Sequence, residues 1–237
     1  MTIKEGRSAD RYLLLQINDS LFPIGGYTQS YGLETYVQKG LVKDEATASE
    51  YMKAVLKGSF LCTDLLAASI AYDYALAADI ENIVLLEQEI TAIKVPEEIR
   101  TGSHKLGSRF IKTVRAFDNA SGGGTFLQYC SELAKIKEPA NHCVAYGVFC
   151  ASNKIGKTEM LETYAYSYAS AMATACVKII PLSQLSGQRM LAACYGLLDE
   201  IACEALKPDR TMLGLAQPAY DIRCMQHEDL YSRLYMS

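Results

Sequence analysis

The sequence predicts an all-α fold, a single compact domain of about ten helices, on three observations. Apolar residues recur at steps of three and four along almost every segment. No stretch alternates apolar and polar residues with the period of a half-buried strand. Prolines stand where helical stripes begin or end, as at Pro96 and Pro181. The 237 residues suffice for a full core, domains averaging about 150 residues. Composition is alike on both sides of the Gly-rich run 121–124, which reads as a loop rather than a boundary, and no solenoid-length repeat is visible.

Taken in order, a first helix spans 8–19. Pro23 and the Gly25-Gly26 pair then bend the chain, and Thr28 or Ser30 caps a helix over 28–38. Over 44–66 the residues Ala48, Tyr51, Met52, Val55, Leu56 and Phe60 form one stripe. Helices follow over 67–93 and 97–117, the second opened by Pro96, Glu97 and Glu98, since acids favour the positive end of the helix dipole. Further helices span 124–136 and 142–153. Leu161, Tyr164, Tyr168, Met172, Ala175 and Ile179 mark the next, with Ala165, Ala169 and Ala173 on a flank that allows close approach; Pro181 ends it. Helices over 184–206 and 220–235 complete the chain.

Hydrophobic residues make up 50% and charged residues 21%, with 16 Gly and 6 Pro, which excludes disordered and low-complexity classes. A net charge of −4 gives no electrostatic reason for binding nucleic acid or an anionic membrane. The longest apolar-leaning run without charge, 163–177, is 15 residues and too short to span a bilayer. The N-terminal segment lacks a secretory apolar region, and the 8 cysteines form no CxxC pair, so reduced thiols and a cytoplasmic location are expected. The 16 Tyr against 6 Phe and no Trp place hydroxyls on most aromatic surface.

Several segments carry candidate chemistry. Residues 151–158 fit a relaxed phosphate loop in which Lys157 would reach phosphates and Thr158 would hold Mg²⁺; helix capping around Gly156 and Thr158 explains the same residues. His142, Cys143, Cys150, Cys224 and His227 are candidate metal ligands, but no single segment supplies a closed set. No GxSxG elbow exists, and none of His104, His142 and His227 shows an obvious local arrangement of Ser or Cys plus carboxylate. After Pro218, Tyr220, Cys224, His227, Tyr231 and Leu234 fall at helical steps framed by Arg223 and Arg233, a mixture enriched at protein interfaces. Residues 219–237 therefore read either as a partner-docking helix or as the last core helix. Tyr27 and Tyr31 sit beside the Gly25-Gly26 bend, on a loop suited to a specific contact.

The run Phe22 to Glu34, FPIGGYTQSYGLE, resembles the N-terminal signature of the urease accessory protein UreF family. Arg100, Ser103 and Gly107, the segment from His142 to Gly147, the run KIIPLSQ ending at Gln184, and the closing QHEDLYSRLYMS resemble further family elements in the same order. Departures are Ser183, where many members have Gly, and Lys105, where many have Gln. The resemblance implies an all-α homodimer without a catalytic centre or tightly bound cofactor. Such a protein binds the accessory protein UreD, called UreH in some systems, and recruits and regulates the GTPase UreG. The assembly meets apo-urease, and nickel transits it on the way to the urease active site. By motif, Tyr27 and Arg233 would organise the GTPase-recruiting surface, with Tyr231, Leu234 and Tyr235 beside them. The GTPase partner carries its own phosphate loop, which returns Lys157 and Thr158 to a turn.

Overall fold

The computed structural model describes residues 5–26, 29–117, 124–215 and 217–236, the first five by backbone alone, and every regular element among them is helical. In chain order the α-helices are α1 (Glu5–Ile17), α2 (Leu33–Gln38), α3 (Glu45–Val55), α4 (Leu66–Leu76), α5 (Ile80–Ile93), α6 (Glu97–Phe117), α7 (Gly124–Ile136), α8 (His142–Ser152), α9 (Lys157–Ile179), α10 (Gln184–Ala192), α11 (Tyr195–Leu206) and α12 (Pro218–His227). A π-helical stretch, Leu56–Leu65, joins α3 to α4, so Glu45–Leu76 is one rod of 32 residues. It opens with a reciprocal cap in which Asp44 accepts from the Thr47 amide and the Thr47 hydroxyl accepts from the Asp44 amide.

This rod is the axis of the core. By length and composition it is apolar enough to cross a membrane, although charged residues interrupt its sequence; 72% of its most apolar window is buried inside the protein, as a central core helix requires. Its α4 part lies along α8, whose residues Cys143–Ala151 are all buried. A Cβ on Gly147 would stand 2.3 Å from the Ala68 carbonyl oxygen, so the α4–α8 approach depends on that glycine. On the far side α6 covers α8, while α9 receives α10 and α11.

Several predicted helices are shorter or divided. The 67–93 prediction splits because Ala78 takes a positive φ of 53° and Asp79 starts α5 by accepting from the Asn82 amide at 3.2 Å. The 184–206 prediction splits at Ala193–Cys194, where α10 packs toward α3 and α9 while α11 turns onto α9 and the π stretch. The 28–38 helix begins only at Leu33, after left-handed Tyr31 and Gly32. The 220–235 helix ends at His227, and residues 228–236 fold back without helical structure. Residues 121–123 of the Gly-rich run and the candidate cap Thr28 lie outside the described residues. Ser183, one of the departures from the family pattern, caps α10 by accepting from the Ser186 amide at 3.0 Å.

Buried polar groups tie the helices together. Glu87 on α5 is wholly buried; it accepts from the Tyr129 hydroxyl of α7 and, at 2.8 and 2.9 Å, from the backbone and side-chain amides of Asn141. Ser103 on α6 donates to the Asn141 side-chain oxygen at 2.9 Å. Arg100, one turn earlier, donates to the Lys94 and Val95 carbonyls beyond the end of α5. The Arg-x-x-Ser spacing thus closes the α5–α6 corner onto α8.

Candidate functional site

Gly32 brings the two ends of the chain together. It holds φ +77°, and a Cβ there would lie 2.8 Å from the Cys224 sulfur, so α12 docks directly on the signature turn. Tyr31 also takes a positive φ, 53°, rare for a bulky residue. Its carbonyl accepts from the Tyr51 hydroxyl at 2.9 Å and its ring sits 4.9 Å from that of Tyr168, contacts that hold the unfavourable conformation in place. Phe22 anchors the start of the turn against Phe110 and Phe117.

In the first turn of α2, Glu34 receives the C-terminal segment. It is 6% exposed, and its carboxylate accepts from the Leu234 amide at 2.8 Å, the Tyr235 amide at 3.1 Å and His227 Nε2 at 2.9 Å. The opposite ring nitrogen, Nδ1, lies 2.6 Å from Glu98 Oε2 in the first turn of α6. Arg233 donates to the other oxygen of Glu98. The outcome for the tail is uneven. Tyr235 is buried, whereas Tyr231 is fully exposed and Leu234 and Met236 stand largely in solvent. Ile222 and Met225 on the outer side of α12 extend that apolar surface. Tyr27 lies outside the described residues.

Beside this junction lies a cavity of about 120 Å³, bordered by the signature residues Ile24, Gln29 and Tyr31 and by Asp64, Lys94 and His142. Asp64 comes from the π stretch, a local widening often met at functional sites. It pairs with the buried Lys94 ammonium at 2.8 Å. Burial works against the Lys94 charge, but Asp64 outweighs it and holds the pKa above the ordinary lysine value. Burial pushes His142 down to about 4, so its ring is neutral near pH 7. Its Nδ1 faces the Tyr164 hydroxyl at 3.4 Å, and its Nε2 has no hydrogen-bond partner among the described residues.

The other sequence candidates are occupied structurally. Among the described residues no group of three or more His, Cys, Asp and Glu is arranged to hold a metal ion. Cys224 and His227 do share a buried face of α12, but both ring nitrogens of His227 are engaged by carboxylates. The segment before the phosphate-loop candidate is helix α8 and not the strand such a loop needs. Lys157 pairs with Asp73 at 2.7 Å and donates to the Leu206 carbonyl at 3.1 Å, closing the end of α11. Glu34, Glu98 and the central role of His227 were missed by sequence reasoning. Glu34 ended a motif, Glu98 read as a dipole-matching acid, and 193 residues separate Glu34 from His227.

The UreF family model matches residues 42–195. Urease accessory protein UreF of Actinobacillus pleuropneumoniae is 37% identical over 224 residues, covering 94% of this chain and 97% of its own length. The protein of the same name from Haemophilus influenzae is 34% identical with 94% of each chain covered, and that of Streptococcus thermophilus is 25% identical with 94% and 93% covered. The family model leaves out the signature turn and the tail, but these long alignments run over nearly the whole chain. On that extent of similarity the chain belongs to the UreF family of urease accessory proteins.

Proposed function

We propose that the chain is a non-enzymatic adaptor in urease maturation. It binds UreD (UreH), recruits and regulates the GTPase UreG, and brings both to apo-urease so that GTP hydrolysis is coupled to nickel insertion. It acts in the cytoplasm as a homodimer, holds no cofactor tightly, and lets nickel transit the complex it forms. The observation that carries this reading is the fixed tail: Arg233 is held by Glu98, with Tyr231 and Leu234 beside it in solvent. Aromatic and arginine side chains presented on an ordered segment are the usual anchors of protein interfaces. Residues 219–237 are the docking segment and Tyr27 its counterpart on the signature turn. The relatives support the process, each being named a urease accessory protein.

The test is co-purification of the GTPase and the second accessory protein with Arg233→Ala and with the unaltered chain. Loss of an interface anchor costs about 2 kcal/mol, roughly thirtyfold in affinity. The variant should keep its helical circular dichroism and capture far less GTPase. Equal capture by Arg233→Ala refutes Arg233 as a docking residue.

A further inference from the structure

After Leu230 the chain makes no backbone-to-backbone hydrogen bond among the described residues. Its backbone groups turn instead to side chains of α2. The Leu234 and Tyr235 amides donate to the two oxygens of the Glu34 carboxylate at 2.8 and 3.1 Å, and the Ser232 carbonyl accepts from the Gln38 side-chain amide at 3.3 Å. Glu34 and Gln38, at i and i+4, share one face of α2. A carboxylate only accepts and a primary amide can donate, so the pair matches N–H and C=O groups that every peptide carries. Burying a carboxylate is costly unless N–H donors meet it, and two of those that meet Glu34 belong to the tail. Two side chains add sequence to this match. The Tyr235 ring is buried in the core, and Arg233 donates to Glu98 in the first turn of α6, whereas Leu234 between them is 69% exposed.

We propose that the Glu34 and Gln38 face of α2, together with Glu98, is a peptide-binding site for an Arg-x-Tyr segment, and that the chain's own tail is its tethered, exchangeable ligand. Glu34 and Gln38 hold the peptide backbone, Glu98 selects the arginine, and the core beside α2 takes the tyrosine ring. Residues 228–231 are the tether. They keep the ligand at an effective concentration of about 1 mM, the scale of a short flexible linker. The bound tail leaves Tyr231 and Leu234 in solvent, so occupancy of the site fixes where those two side chains stand. Their use in docking rests on the reading under Proposed function; the peptide site itself does not.

Fluorescence anisotropy with a labelled peptide of residues 228–237, EDLYSRLYMS, tests the site on the full chain. The unaltered chain should bind the peptide weakly, because its own tail competes. Full-length Arg233→Ala/Tyr235→Ala, whose tail has lost both sequence-reading side chains, should bind it roughly tenfold or more tightly. Adding Glu34→Gln should remove that gain, since a side-chain amide in place of the carboxylate cannot accept from both backbone amides. Helical circular dichroism checks that each protein is folded. Should the triple variant unfold, Glu34→Gln alone serves: amide protection at Leu234 and Tyr235 should fall about tenfold relative to the core helix α8, as for a lost hydrogen bond to a charged group. Equal affinity for the unaltered chain and the double variant, no binding by the folded double variant at millimolar peptide, a gain that survives Glu34→Gln, or unchanged protection in Glu34→Gln overturns the proposal. Co-purification of the GTPase with Glu34→Gln separates this site from the docking reading. If protection falls and capture does not, the peptide site stands and the docking reading fails.

Discussion

At the scale of single residues, the buried ionisable groups decide how this protein answers to pH. Burial raises the Glu87 carboxyl to about 7 despite its hydrogen bonds from Tyr129 and Asn141. A carboxyl with a raised folded-state pKa binds its proton more tightly in the native chain. Its contribution to stability is full below the ordinary carboxyl value of 4.5 and is lost as pH climbs to about 7. The loss amounts to about 3 kcal/mol. Glu87→Gln removes the titration and keeps the contacts, its oxygen accepting from Asn141 and its amide donating to a rotated Tyr129 hydroxyl. Urea unfolding at about pH 4 and about pH 8 should show the unaltered chain losing about 3 kcal/mol relative to Glu87→Gln. A constant difference between the two proteins contradicts this account of Glu87. Glu87 did not announce itself in the sequence, and His227 was legible only as a candidate metal ligand and a member of a helical stripe, not as a partner of Glu34 and Glu98. Glu87 stood among acids on an amphipathic helix, and His227 stood in a stripe of apolar and aromatic residues.

At the scale of elements, periodicity located the helices and failed at their breaks. The stripes of 97–117 and 124–136 match α6 and α7 because each helix has one buried face. The split at Ala78 has neither Gly nor Pro to mark it; a left-handed alanine is tolerated because the Asp79 cap and the turn of α5 onto α4 and α7 outweigh its cost. The π stretch was invisible for a similar reason, since Leu56, Phe60 and Leu61 satisfy an α stripe equally well. At the C-terminus the helical steps continued past His227, yet hydrogen bonds from the Leu234 and Tyr235 amides to Glu34 won over further helix. The signature turn is the strained counterpart of that tail. Gly32→Ala should cost about 2 kcal/mol or more from the left-handed backbone and the collision with Cys224. Thermal unfolding should show the drop, with the amides of α12 losing protection before those of α8. An unchanged melting temperature would mean that α12 does not depend on this contact.

At the scale of the molecule, the excess of 16 tyrosines over 6 phenylalanines now has a physical distribution. Tyr51, Tyr72, Tyr129 and Tyr146 are buried with their hydroxyls bonded to groups far away in sequence, so they stitch helices together. Tyr231 stands wholly in solvent on the strapped tail. The all-α class was legible in the sequence, and so was the family, through the signature turn and tail. The meeting of those two segments was not, since it joins residues nearly 200 positions apart and depends on tertiary packing. The proposed role of the chain is to bring other proteins together. Activation of apo-urease with nickel, bicarbonate, GTP, the GTPase and the second accessory protein tests it most directly, run without this chain, with it, and with Arg233→Ala. Strong activation is expected only with the unaltered chain, with a loss of roughly tenfold or more in the variant. Equal activation in all three reactions would contradict it.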